Sequence, residues 1–151
     1  MKRLYFGAVA VGKPSMKRRK PRSTKAANLK RADTEFSVWI RERDPNCFFY
    51  GVPQDHGRKT CYNRSSQNSH FWGRANMATR FDPLNCDGIC GGCHMTHEGN
   101  KQGLYKELKI KQLGVDGYNA LEKKARSTFK RERAIHECMQ FLNEEKKKNM
   151  G

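Results

Sequence analysis

The spacing of apolar residues predicts a helix in the first third of the chain. Phe36, Trp39 and Ile40 fall on one helical face. Asp33 is a residue type that caps helix beginnings, so we expect the helix to start there. The pair Asp44-Pro45 predicts its end, because the residue before a proline disfavours helical backbone angles. The region before this helix contains no comparable apolar stripe.

The middle of the chain, from Cys47 to about Cys93, has no helical period. Glycine, asparagine, serine and aspartate are frequent there, and aromatic residues interrupt them. We expect short strands around residues 69–73 and 87–89. A segment of this length without regular helices usually needs a metal ion or a function to organise it.

Helical spacing resumes near Cys93 and is interrupted at Gly114, a residue type that commonly ends helices. Apolar residues on both sides of Gly114 follow this pattern, and we interpret them as packing faces: Leu104, Leu108, Tyr118, Leu121, Ala125, Phe129, Ile135, Met139 and Leu142. Helices around a short stranded middle predict an α+β fold. We divide it into a basic arm at 1–32, a central domain at 33–115 and a helical extension at 116–151.

Composition indicates a polar chain that needs support beyond its core. Only 36% of its 151 residues are hydrophobic, and the formal net charge is +16. Eleven lysines and arginines, with no acidic residue, lie in residues 1–31, most densely at Lys17, Arg18, Arg19 and Lys20. Such an arm is typical of disorder, yet it can still neutralise phosphates. We therefore expect a polyanionic partner, and a nucleic acid rather than a membrane, because no amphipathic anchor accompanies the charge.

The chain contains no apolar run of the roughly 18–20 residues that a transmembrane helix needs. Leu4–Gly12 follows two basic residues in the manner of a signal peptide, but its apolar part is short. We expect a cytoplasmic protein. Thiols stay reduced in that compartment, so clustered cysteines favour a metal over disulfides.

The cysteine spacing predicts a structural zinc site. Cys90 and Cys93 form a CxxC knuckle whose paired glycines permit a tight turn. Cys47 and Cys61 lie upstream at a separation that a loop can close, and His56 is an alternative ligand to one of them. Four thiolates around zinc would join two weak segments and contribute folding free energy.

Other cysteine interpretations remain open at this point. A lone CxxC also suits a redox pair. Cys86 and Cys138 are interpreted as spare thiols, buried or unpaired.

His70, Asn85 and His94 form the pattern H-x14-N-x8-H, with the knuckle directly before the last histidine. The string from Asn85 to His94 resembles the N-x4-C-x2-C-H core of zinc-bearing HNH nucleases. Phosphodiester hydrolysis needs an activated water and a Lewis acid on the phosphate, which a neutral histidine and a divalent ion supply.

This resemblance implies a small ββα-metal core. In it, His70 is the general base, Asn85 organises the loop, and His94 binds a catalytic Mg2+ or Mn2+. A second ligand is expected one helical turn later, at His97 or Glu98. Ser69 stands where many HNH proteins have a metal ligand, so further donors are expected from Asp82, Asp87 or Asn68.

Residues 36–128 also resemble the phage NinG (Rap) recombination proteins. The shared motifs are Trp39-Ile40-Arg41-Glu42-Arg43-Asp44, Ser69-His70-Phe71, Arg80-Phe81-Asp82, Asn85, Cys90-x-x-Cys93, His97-Glu98-Gly99-Asn100, Tyr105 and Leu108. Two positions depart from the family: Cys47 lacks a CxxC partner, and His94 replaces an asparagine. The resemblance implies recombination on branched DNA such as Holliday junctions, and a homodimer. Arg74 and Arg80 are predicted, with the arm, to contact DNA.

The sequence is therefore compatible with two functions. One is a metal-dependent DNA endonuclease. The other is a noncatalytic zinc module that binds nucleic acid or a protein, with His70 idle. A zinc deaminase does not fit, because no His-x-Glu precedes a Pro-Cys-x-x-Cys in the chain.

Overall fold

The computed structural model describes residues 24–54, 59–97 and 103–151. Over these residues the fold is α+β, as predicted, with a two-stranded antiparallel sheet between helices. The elements in chain order are α1 (Thr24–Arg43), β1 (Gln67–His70), β2 (Cys86–Ile89), α2 (Gly91–His97), α3 (Leu104–Ala125) and α4 (Arg131–Met150).

Helix α1 begins at Thr24, so the predicted start at Asp33 is wrong. Ala32 is fully buried within this helix, so α1 crosses the boundary at residue 32 that the sequence suggested for the arm. The good helix formers after Thr24 extend the helix backwards. The predicted end is confirmed, because the helix stops at Arg43, just before Asp44-Pro45. Lys17–Lys20 lie outside the described residues.

The pairing of β1 with β2 sets which side chains share a face of the sheet. His70 is opposite Cys86, and Gln67 is opposite Ile89. Side chains alternate along a strand, so His70 and Cys86 lie on one face while Gln67 and Ile89 lie on the other. Helix α1 packs on the His70 face, and α2 and α3 pack on the Gln67 face.

Gly88 allows α1 to end against this sheet. A Cβ atom at position 88 would lie 2.7 Å from Cβ of Asp44 and 2.8 Å from its carbonyl oxygen. The backbone N–H of Gly88 also donates to the Asp44 carboxylate at 2.8 Å. Only glycine permits an approach this close.

Two apolar clusters flank the sheet. The first, the cysteine-side core, contains Cys47, Phe49, Cys61, Phe71, Ile89, Cys90, Cys93, Tyr105 and Tyr118. The second, the α1–α4 core, contains Ala32, Phe36, Ile40, Cys86, Cys138 and Leu142. Strand β2 contributes to both, through Ile89 to the first and through Cys86 to the second.

Helix α3 consists of two helical segments that meet at Gly114, so the break predicted at that residue is confirmed. Gly114 has φ 71° and ψ 167°, which breaks the helical geometry at that residue, and the helix then resumes. Tyr118 and Leu121 are buried after this break, and Leu142 of α4 packs against α1. Side chains from residues 116–151 therefore contribute to both apolar clusters.

None of the helices in the described part of the chain is long and apolar enough to cross a membrane.

Candidate metal centre and neighbouring histidines

Four cysteines meet in the cysteine-side core. The Sγ atoms of Cys47, Cys61, Cys90 and Cys93 all lie within 4.8 Å of one another, and all four residues are buried. The Cys61 and Cys90 sulfurs are 3.9 Å apart. Sulfurs at about 2.3 Å around a tetrahedral zinc are separated by about 3.8 Å, so the donor set and its spacing fit such an ion.

Backbone hydrogen bonds bring the upstream pair to the knuckle. Cys47 N–H donates to the Asn63 carbonyl at 3.0 Å, and Gly51 N–H donates to the Cys61 carbonyl at 2.7 Å. Phe48 N–H donates to the Gly88 carbonyl at 2.8 Å, which fastens this loop to β2. The wide gap between Cys47 and Cys61 is thus closed by local pairing, without a second CxxC.

Hydrogen-bond donors around the Cys90 sulfur favour its thiolate form. Burial by itself raises the pKa of that thiol, but hydrogen bonds outweigh it and lower the pKa to about 7. They come from the Cys93 N–H at 3.4 Å and from Asn63 Nδ2 at 3.6 Å. Burial raises the pKa of Cys47 to about 11. Metal binding at this site therefore requires proton release as well as folding.

The remaining cysteines are confirmed as spare, buried thiols. Cys86 and Cys138 belong to the α1–α4 core, away from the four-cysteine cluster. Burial raises the pKa of Cys138 to about 12. His56, the alternative ligand, lies outside the described residues.

His70 is held by the loop between the two strands. Its Nε2 lies 3.1 Å from the carbonyl oxygen of Arg80. Burial, together with the positive charges of Arg74 and Arg80, lowers the pKa of His70 to about 4. The imidazole is therefore neutral at pH 7, which is the form that a general base requires.

Asn85 fixes the same loop from inside. The side chain is fully buried, and its Oδ1 accepts a hydrogen bond from Trp72 N–H at 2.7 Å. Its Nδ2 donates to the carbonyls of Trp72 and Thr79, each at 3.0 Å. All three of these hydrogen bonds go to backbone groups, so the Asn85 side chain holds the loop between the strands together.

The two arginines predicted to contact DNA differ in their surroundings. Arg80 is 8% exposed and forms a two-pronged ion pair with Asp33, at 2.8 and 2.6 Å. It also donates to the Arg74 carbonyl at 2.5 Å. This guanidinium is committed to joining the loop to α1, so its placement does not favour a DNA contact. Arg74 is exposed.

The structure does not bring His70 and His94 together. Nδ1 of His94 contacts Oε1 of Gln67. Gln67 and His70 are three residues apart on β1, hence about 10 Å along the strand and on opposite faces of it. His94 therefore lies on the α2 side of the sheet, whereas His70 lies on the α1 side.

His97 is 4% exposed and is engaged elsewhere. Its ring stacks on Phe49 with 4.1 Å between centroids, and its Nε2 lies 2.7 Å from Oε1 of Gln54. Glu98, the other predicted ligand on α2, is outside the described residues. Within residues 24–54, 59–97 and 103–151, the four cysteines are the single group of three or more metal-binding side chains. The predicted site for a catalytic ion is thus not assembled by the described residues.

A buried polar network explains what Ser69 does in place of a metal ligand. Ser69 Oγ lies 3.3 Å from the Tyr105 hydroxyl, which donates to the Asp87 carboxylate at 2.9 Å. The ammonium of Lys109 donates to both oxygens of that carboxylate, at 2.9 and 2.8 Å, and Lys109 is fully buried. Sequence reasoning missed this lysine, because a lysine in an amphipathic helix normally indicates its exposed face.

The other suggested donors divide into paired and unpaired. Asp87 is satisfied by Lys109 and Tyr105, and Asp82 pairs with Lys124 at 2.5 Å. The Oδ1 atom of Asn68 is buried and has no hydrogen-bond partner in the described structure.

The chain matches no family model, and neither the curated proteins nor the solved structures contain a significant match to it. The fold and the site by themselves define an α+β protein with a buried four-cysteine centre that can hold a metal ion.

Proposed function

We propose that the protein is a zinc-stabilised DNA endonuclease of the HNH type, with His70 as its general base. The observation that carries the proposal is a chain of connections. His70 ends β1, its ring is held by the loop that Asn85 fixes, and β2 then leads into the cysteine knuckle and α2. This is the ββα order of elements that the sequence resemblance implies.

The proposed metal of the cysteine centre is structural zinc. Four thiolate donors in a closed, buried arrangement suit zinc and leave no open position for substrate. The ion would join the loop of Cys47 and Cys61 to the beginning of α2. Its contribution is to folding, and the chemistry on DNA lies elsewhere.

The hydrogen bond of His70 fixes which ring nitrogen can act as a base. A carbonyl oxygen only accepts, so Nε2 carries the proton that it donates to Arg80. Nδ1 then holds the lone pair that can take a proton from an attacking water. The exposed guanidinium of Arg74 lies nearby and supplies positive charge for a phosphate.

A catalytic Mg2+ or Mn2+ is part of the proposal from sequence alone. Its predicted ligands His94 and His97 have partners away from His70, so the described residues do not assemble a site for this ion. Action on branched DNA, a phage recombination pathway and a homodimer rest on the sequence resemblance.

One observation favours a second function, a noncatalytic zinc module that binds DNA. His70 and His94 lie on opposite faces of β1, and Ser69 is tied into a buried network. In such a module the loop held by Asn85 would be a rigid binding element. His70 would then serve only to pack against it.

Cleavage assays separate the two functions. The full chain is incubated with supercoiled plasmid, linear duplex, flap and four-way junction DNA, in Mg2+ or Mn2+ and with EDTA. The endonuclease should cut at least one of these and stop in EDTA, and His70→Ala should bind DNA but not cut it. The matched control is His136→Ala, an exposed histidine on α4. Equal inertness of wild type and His70→Ala on every substrate, with DNA binding retained by both, would favour the binding module.

A further inference from the structure

A concentration of positive charge lies where α3 passes into α4. Residues 122–133 contain six basic and two acidic side chains. The six basic residues, which we call the basic turn, are Lys123, Lys124, Arg126, Lys130, Arg131 and Arg133. All six are exposed. The other concentration of positive charge, in the N-terminal arm, is distant from the basic turn in sequence.

Half of the basic turn is already paired with acidic groups. Lys124 pairs with Asp82 at 2.5 Å, Arg126 pairs with Glu122 at 3.1 Å and Arg133 pairs with Glu137 at 2.7 Å. Lys123, Lys130 and Arg131 form no ion pair with any described residue. These three cations are available to a partner in solution.

The basic turn is fastened to the loop that holds His70. Asn76 Nδ2 donates to the carbonyl of Ala125 at 2.6 Å, and the Lys124–Asp82 pair makes a second link. Asn76 and Asp82 belong to the same interstrand loop as the exposed Arg74. Arg74 and the basic turn are therefore carried by two segments in direct contact.

We propose that the basic turn binds the phosphate backbone of duplex DNA beside His70. The inference deepens the proposed DNA function and rests on it, but it concerns binding and does not require cleavage. Lysine and arginine side chains on a rigid surface neutralise phosphates and release counterions. A lipid surface fits less well, since the linking residues Ser127 and Thr128 are polar. The one aromatic residue there, Phe129, is half-buried, with the Arg133 guanidinium 4.9 Å from its ring centroid.

A charge-matched pair of triple variants tests the proposal. The first is Lys123→Gln/Lys130→Gln/Arg131→Gln in the full chain. The control is Lys111→Gln/Lys147→Gln/Lys148→Gln, which removes the same charge from exposed sites elsewhere. Lys147 lies sixteen residues beyond Arg131 on α4, about 24 Å along the helix. Circular dichroism and thermal melting confirm that both variants are folded.

Binding of a fluorescein-labelled linear duplex is measured by anisotropy over a range of salt concentrations, without added Mg2+ or Mn2+. Each lost phosphate contact on B-DNA reduces the slope of log K against log salt by about 0.9, so the first variant should lose up to about 2.7. The control should keep the wild-type slope. Equal slopes for the two variants on DNA overturn the proposal. Binding to anionic phosphatidylserine vesicles is measured in parallel, and a first variant that loses vesicle binding but keeps DNA binding also overturns it. A protein that never cuts DNA can still satisfy this test.

Discussion

The ring of His70 donates a hydrogen bond to the backbone carbonyl of Arg80, 3.1 Å away across the interstrand loop. The side chain of the same Arg80 reaches in the other direction to Asp33 of α1. One residue thus orients the proposed base through its backbone and anchors the loop through its side chain. The position of His70 consequently depends on contacts far from it in sequence.

Loss of Asn85 should loosen this loop. Asn85→Leu removes three hydrogen bonds, one buried and two part-buried, and leaves the Trp72 and Thr79 backbone groups without them. Each orphaned buried group costs about 1–3 kcal/mol, so we expect the free energy of unfolding to fall by about 3 kcal/mol. Urea denaturation of the full chain measures it. Asn119→Leu, an exposed asparagine on α3, should change little; equal losses would remove the organising role of Asn85.

The cysteine centre predicts about one tightly bound zinc per chain. Cys61→Ser or Cys90→Ser should lower the metal content and the melting temperature, because each removes one of four clustered donors. Cys138→Ser, in the α1–α4 core, is the matched control and should retain the metal. The readouts are atomic emission of the purified protein and thermal melting. A Cys90→Ser protein with full zinc and full stability contradicts this ligand set.

Acid should destabilise the protein partly through His70. Burial lowers its folded pKa to about 4, below the unfolded value of about 6.5. As pH falls from 6.5 towards 4, the unfolded state takes up the proton before the folded state does. The contribution of His70 to the free energy of unfolding is therefore fully present above pH 6.5 and is lost on acidification. At pH 5 the loss is about 2 kcal/mol.

Other groups titrate in the same range, so the measurement is a difference between two proteins. Urea denaturation of wild type and of His70→Gln is compared at pH 7.5 and pH 5. The variant should lose about 2 kcal/mol less than wild type over this interval. Parallel losses in the two proteins would show that His70 titrates normally in the fold.

The Lys109–Asp87 pair offers a test of the buried network. Lys109→Met leaves the Asp87 carboxylate without its cation in a site that is 0% exposed. Removing one partner of a buried ion pair costs about 3–5 kcal/mol. Adding Asp87→Asn removes the stranded charge, so the double variant should be more stable than Lys109→Met alone. Denaturation of the three proteins checks this, and a double variant less stable than the single one would rule out the charge explanation.

The cysteine cluster could be predicted because thiol chemistry and spacing are local properties of the sequence. Cys90 and Cys93 set the knuckle, and few other cysteines were available to complete it. The ends of α1 show the limit of such reasoning. Asp44-Pro45 ended the helix by a local steric rule, whereas Asp33 is a capping residue type that here lies inside the helix. Its partner, Arg80, is 47 positions away.

The histidines show the same limit. Sequence spacing placed His97 on the correct face of a helix for a ligand, but could not reveal that Phe49 covers its ring. Lys109 was missed for a related reason, since its burial depends on Asp87 in a strand that precedes it by 22 residues. Tertiary neighbours, rather than periodicity, decided the roles of these side chains.

Strand β2 separates two apolar compartments of the fold and contributes side chains to both. Ile89 faces the compartment that encloses the cysteines, and Cys86 faces the one between α1 and α4. Removal of the metal should therefore unfold the compartment that encloses the cysteines, while the compartment between α1 and α4 keeps its helices. The four residues of β2 form the boundary between the two. Hydrogen exchange of the backbone amides would then show two different opening free energies in a single chain.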